Sequence, residues 1–274
     1  MERKNKKGSE MIGSLKERFT ALVLDTETHF KSEHQKLIYH IGWVMGDVRS
    51  PTSPRVKREF FIREFLPLDY WKHSYVDKVS KKRKFWKLDS RGDGVQRCAL
   101  DNPKLVKSWD YVMKKLAFDV AQCHGIGSYN WAFDSSAIDI TNRKLNHSGI
   151  ISTIDTPPFC LLDCYATKII NKDYFRFIDK LDATELENYK SKSGKNLGYS
   201  AEIMARYMMQ HHDYVEAHTA LDDALVEFEL AEYFLDKHYR EFKKKFLGNP
   251  RFVSWIKIRD RISAKDKSAQ RKLL

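Results

Sequence analysis

The sequence predicts a mixed α/β fold, a sheet that opens as an antiparallel meander and continues with alternating helices and strands. Two observations predict it. Three β-prone apolar runs with short links fill residues 19–65, and beyond residue 102 the apolar spacing lengthens to the helical period. The chain has 274 residues and 42% hydrophobic side chains, enough for one sizeable core.

Residues 1–17 are polar and form an N-terminal extension. Residues 19–25 are a strand, and "KLIYHIGWVMGDV" (36–48) is a second, in which Gly42 marks a bulge or a close contact. Pro51 and Pro54 punctuate the loop before a third strand, "RVKREFFIREF" (55–65). Residues 67–102 resist regular assignment. From Pro103, which suits a first helical turn, Leu105, Val106, Trp109, Val112, Met113, Leu116 and Val120 follow helical spacing. A short strand lies within 122–130, a helix at 134–146, a strand running into a helix at 158–171, and helices at 200–209 and 219–246. One domain would therefore occupy 18–246, with an insertion at about 70–104 and a C-terminal tail at 247–274.

Net charge is +12, and it is unevenly placed. Residues 237–274 carry 13 Lys and Arg against 3 Asp and Glu, and residues 70–104 carry 10 against 4. The remainder is therefore slightly acidic. Basic charge gathered in an insertion and a tail points to a polyanionic partner, nucleic acid first. No apolar run approaches the ~18 residues of a membrane span. The charged N-terminus lacks an apolar h-region. Cys98, Cys123, Cys160 and Cys164 show no disulfide spacing, so the expected setting is cytoplasmic and reducing. Cys160 and Cys164 lack the two further ligands a zinc site needs, and neither a Gly-rich phosphate loop nor a serine elbow is present.

Asp25 and Glu27 end the first apolar run. Side chains at i and i+2 of a strand share a face, with origins roughly 6–7 Å apart at about 3.3 Å per residue. An unpaired buried carboxylate costs several kcal/mol, so two held this close share either a proton or a cation. Hard oxygen ligands suit Mg²⁺ or Mn²⁺. "YNWAFD" (129–134) places Asp134 at a helix start, where an N-cap role would also explain it. In "HTALDDA" (218–224) the Thr219–Asp222 spacing resembles a capping box. The helix then starts near Thr219, with Asp223 in its first turn and His218 on the loop before it.

Together "LVLDTET", "YNWAFD" and "HTALDDA", in that order, resemble the three motifs of the DnaQ-like (DEDD) 3′–5′ exonucleases of the ribonuclease H-like superfamily. The histidine five positions before the last aspartate resembles the DEDDh subgroup. The resemblance implies a five-stranded mixed sheet with the first strand central. It implies Asp25, Glu27, Asp134 and Asp223 as ligands of two divalent ions, Mg²⁺ or Mn²⁺, and His218 as general base. It also implies hydrolysis from the 3′ end to nucleoside 5′-monophosphates. Likeness to proofreading and phage-type members implies single-stranded DNA, although RNA-trimming members share the motifs. Rival readings are a proofreading-type subunit of a replication complex and a non-catalytic nucleic-acid-binding protein. His29 and Phe30 follow Thr28 where many relatives have glycine, a departure that bears on substrate grip.

Further substrate contacts are expected from Thr28, as a hydrogen-bond donor, and from Phe30 and Phe133, as stacking rings, with core packing the stronger reading of Phe133. Lys81, Lys82, Arg83 and Lys84 beside Phe85 and Trp86 interleave cations with rings, as a single-strand track does; an aromatic pair anchoring a charged loop to the core would explain the segment equally. Phe252, Trp255 and Ile256 among the tail's cations suit a helix docking on a polymerase or helicase.

Overall fold

The computed structural model describes residues 17–31, 35–65, 74–76, 83–85, 99, 102–147, 155–190, 197–210, 212, 214, 215 and 219–250, without the side chains of 29–31, 35, 74–76, 83–85 and 172. The expectations for 1–16, 66–73, 77–82, 86–98 and 251–274 lie outside these residues.

Among the described residues, six strands form the main sheet. Across it run β6 (Val106–Lys107), β3 (Val56–Ile62), β2 (Gln35–Asp47), β1 (Thr20–Lys31), β7 (Gly125–Ser128) and β8 (Pro158–Cys160). β1, β2 and β3 pair antiparallel, as their short links require; β7 pairs parallel to β1, β8 parallel to β7, and β6 parallel to β3. Parallel pairs need crossovers, supplied by α1 (Trp109–Val120) before β7 and α2 (Trp131–Lys144) before β8. After β8 come α3 (Leu161–Lys168), α4 (Lys172–Ile178), α5 (Ala183–Glu187), α6 (Ala201–Met209) and α7 (Ala220–Lys245).

β1 is central, so both its faces are covered. Ala21, Leu22, Val23 and Leu24 are all fully buried. The neighbours Gly42 and Trp43 of β2 show which helices cover which face. A Cβ on Gly42 would strike the backbone of Leu221, so α7 lies on that side. The Trp43 indole donates to Asp119 of α1 at 3.1 Å, so α1 lies on the other. Asp119 is buried but well partnered, by Trp43, Arg58 at 3.3 Å and Lys115 at 3.1 Å. α7 buries Ala224, Phe228, Ala231, Leu235, Tyr239 and Phe242, a stripe at helical spacing.

The architecture departs from expectation in a few places. The sheet has six strands rather than five, because residues 106–107 pair with Phe61 and Ile62. Hence the helix expected from Pro103 starts later: Pro103–Leu105 is a 3-10 turn, and Ser108 caps α1 by accepting from Tyr111 N. β1 continues past Asp25 to Lys31. Within 67–102 the described part includes a small hairpin, β4 (Ser74–Val76) with β5 (Arg83–Phe85). α4 and α5 are additions to the expected elements; they are short and rest on local caps, Asn171 and the Asp182–Glu185 capping box.

Candidate functional site

β1 pairs with β7 only through Ala21–Val23, then runs on beside β2 alone. Asp25 and Glu27 stand on this overhang, at the carboxyl end of β7, where open α/β sheets leave a crevice. They share the α7 face. Their partners across β2 are Gly42 and His40, which between them seat the start of α7. Gly42 admits the helix backbone: an added Cβ would lie 2.5 Å from Leu221 N. The buried His40 accepts the Ala220 N–H at Nδ1 (3.4 Å), which leaves its Nε2–H to Glu59 at 3.0 Å. Thr219 caps the helix by accepting from Asp222 N, and its hydroxyl donates to Asp222 Oδ2 at 2.7 Å. Asp222 is thus engaged in the cap, and Asp223, one residue deeper, faces the sheet.

One oxygen each from Asp25, Glu27 and Asp223 lies within 4.8 Å of the others; Asp25 and Glu27 are half-buried and Asp223 buried. Burial lifts the proton affinity of Asp25 well above the usual carboxylate range. The negative charges of Glu227, Asp134, Glu27 and Asp223 lift it further. A divalent cation at this point would relieve that repulsion, and three hard oxygen donors at this spacing fit Mg²⁺ or Mn²⁺.

Asp134 stands beside the trio rather than among its converging oxygens. It is not an N-cap: Asn130 precedes α2, and Asp134 falls in the first turn. Thr26, between the two acids of β1, points to the opposite face, and its hydroxyl donates to Asp134 Oδ1 at 2.7 Å. Ser128, the last residue of β7, donates to Oδ2 at 2.7 Å. Burial raises the Asp134 pKa to about 6, although both hydroxyls oppose the shift.

Glu227 was missed by sequence reasoning. It lies four residues after Asp223, hence on the same face of α7, and is 4% exposed. Its Oε2 accepts the backbone N–H of Tyr129 at 2.8 Å, tying α7 to the β7–α2 junction that carries Asp134. His40 was missed too; an isolated histidine in an apolar strand carries no signal of its helix-seating role.

Of the other expected residues, Thr28 is buried just past a register shift between Glu27 and Thr28. Its hydroxyl has no hydrogen-bond partner among the described residues. Phe133 is half-buried, with Lys36 Nζ 4.4 Å from its ring centre. His218, Lys81, Lys82 and Trp86 lie outside the described residues, as do the side chains of Phe30, Arg83 and Lys84. Cys160 and Cys164 are buried thiols whose pKa values burial pushes up, which disfavours the thiolate a metal would need. Among the described residues no helix is long and apolar enough to cross a membrane.

No family model matches the chain, and no curated protein does. Solved structures do. The nuclease domain of 3′hExo, a DEDDh family member solved bound to rAMP, matches with a TM-score of 0.51 at 10% identity over 80% of this chain and 93% of that one. A full-length 3′-exonuclease matches with a TM-score of 0.46 at 12% identity over 80% and 83%. The mixed sheet flanked by helices is thus the fold that this chain shares with the 3′hExo nuclease domain.

Proposed function

We propose that this protein is a divalent-metal-dependent 3′–5′ exonuclease that shortens single-stranded DNA to nucleoside 5′-monophosphates. The observation that carries the reading is the convergence of Asp25, Glu27 and Asp223 from β1 and α7 within 4.8 Å, at the end of a sheet of this fold. Asp25, Glu27 and Asp223, with Asp134 beside them, would hold two Mg²⁺ or Mn²⁺ ions. When bound, such ions lower the pKa of a water and offset charge on the leaving 3′ oxygen.

The chain's own residues do the rest. Gly42 and His40 set Asp223 against the acids of β1. Glu227 joins α7 to the junction bearing Asp134, and Thr26 and Ser128 orient the Asp134 carboxylate. His218, which directly precedes the Thr219 cap, would take the proton of the attacking water, as an imidazole with a pKa near 6.5 can at neutral pH. Thr28, whose buried hydroxyl meets no partner among the described residues, would donate to the terminal nucleotide. Asp25 and Asp134, whose proton affinity burial raises, would have to give up their protons to hold a cation, so metal affinity should rise with pH.

A second reading, RNA as substrate, is supported by the neighbour that shares the fold and was solved with rAMP. Net charge of +12 suits either strand. The test uses DNA and RNA single strands labelled at the 5′ end, with Mg²⁺, Mn²⁺ or chelator. A DNA ladder shrinking from the 3′ end in metal alone is expected. Shortening of RNA alone would replace the substrate, and no shortening of either would remove the reading.

A further inference from the structure

Four large apolar side chains are exposed among the described residues: Tyr111, Phe118, Met209 and Val215. Single exposed apolar residues need no explanation, but two of these share one face of α1. Tyr111 and Phe118 are two helical turns apart, so they stand roughly 10 Å from each other along the axis at about 1.5 Å per residue. Tyr111 is 48% and Phe118 62% exposed. Phe60 of β3 props Tyr111 from beneath, edge to face at 5.9 Å.

Each ring carries an ammonium. Lys107 Nζ is 5.4 Å from the Tyr111 centre, and Lys115 Nζ is 4.5 Å from that of Phe118. Lys114, exposed between the rings, and Arg58, partly exposed on β3, complete the patch. Its three acids among the described residues are all engaged: Asp119 is buried beneath Trp43, Arg58 and Lys115, Asp110 is met by Lys114 and His147, and Glu64 accepts the Trp109 N–H at the start of α1. Lys107, Lys114, Lys115 and Arg58 outnumber these acids, so the net charge is positive, complementary to a polyanion whose bases have faces to stack.

The patch also begins at the pocket's end of the sheet. Glu27 pairs with His40, His40 with Phe61, and Phe61 with Val106, just before α1. That row crosses three strand spacings, roughly 14 Å at about 4.8 Å each. Asp25 and Glu27 face the α7 side and α1 covers the other, so a strand leaving the pocket would cross the sheet rim and meet Tyr111 before Phe118.

We propose that this face of α1 binds single-stranded nucleic acid, with two bases stacking on Tyr111 and Phe118 and flanking phosphates meeting Lys107, Lys114 and Lys115. It would hold the upstream part of a strand whose 3′ end lies in the acidic pocket. The identity of the occupant rests on the nuclease reading; the exposed, cation-capped pair of rings does not.

The test is fluorescence anisotropy with a labelled oligothymidylate long enough to span pocket and helix, in chelator so that nothing is cleaved. Tyr111→Ala and Phe118→Ala should each weaken binding about tenfold, the range of one base–aromatic stack. Lys115→Gln should flatten the log–log salt slope by about 0.7. Met209→Ala, another exposed apolar site, should change neither, and hydrolysis of a trinucleotide too short to reach α1 should match wild type throughout. Wild-type affinity in both ring variants would overturn the proposal. So would a concentration-dependent dimer that Phe118→Ala dissociates, because the face would then serve self-association. Weakened binding in the variants without hydrolysis of any strand by the wild type would keep the surface and remove the nuclease. Hydrolysis with unaltered binding would do the reverse.

Discussion

Replacing Gly42 by alanine tests how the acidic site is assembled. Gly42 pairs with Asp25 across β2 and lies under the first turn of α7. A Cβ there would sit 2.5 Å from Leu221 N and 2.6 Å from Ala220 C and Leu221 Cα, where ordinary contact begins at 3.4 Å. All three are backbone atoms, so no side chain can swing aside. The helix start must move about 0.9 Å, and Asp223, two residues on, moves with it. Gly42 has no positive φ, so alanine brings no backbone strain, and on chain entropy alone it would stabilise by ~0.4–1 kcal/mol. The clash should outweigh that, since overpacking costs about 1–3 kcal/mol. The functional loss should be larger, because a displacement near 1 Å in a reacting constellation can lower the rate about 10²-fold. Thermal unfolding, Mn²⁺ titration and strand hydrolysis measured on one preparation separate the two effects. A folded Gly42→Ala protein with wild-type Mn²⁺ affinity and rate would refute the claim that this glycine sets the position of Asp223.

Further outcomes follow from the acids. The folded-state pKa of Asp134, about 6 against an ordinary 3.8, means the fold favours its protonated form. Its stabilisation is full below about pH 4 and is lost as pH rises through 6, roughly 3 kcal/mol at 1.36 kcal/mol per unit. The metal-free melting temperature should therefore fall over that window, and Asp134→Asn should flatten the fall; an unchanged profile in the variant would assign the drop elsewhere. Glu227→Gln keeps an acceptor for Tyr129 N–H but removes a charge beside Asp25, so it should raise metal-free stability at neutral pH and lower Mn²⁺ affinity. Glu227→Met loses the acceptor as well and should lower stability by about 1–3 kcal/mol through the orphaned amide. Equal melting temperatures for the two would show that the hydrogen bond contributes nothing.

Much of this arrangement is legible in the sequence, and the reason is locality. Asp25 and Glu27 share a face because a strand alternates, and α7 is readable from its long apolar stripe and the Thr219 cap. Gly42 is readable as a point of close approach, though not what approaches. The features that sequence reasoning misses are mostly non-local. Thr26 and Ser128 hold Asp134, but Thr26 lies 108 residues away in the chain. β6 is two residues long and exists only because β3 is beside it. Glu227 is the exception that local reasoning could have found: four residues after Asp223 on an otherwise apolar helix face, it had to point toward the same pocket.

A crystal structure with Mn²⁺, with anomalous scattering recorded to locate the metal, addresses the central claim most directly. The account predicts a peak bound jointly by Asp25, Glu27 and Asp223, which disappears in Asp25→Asn. Manganese bound elsewhere with this pocket empty, or a peak that survives the substitution unchanged, would contradict it.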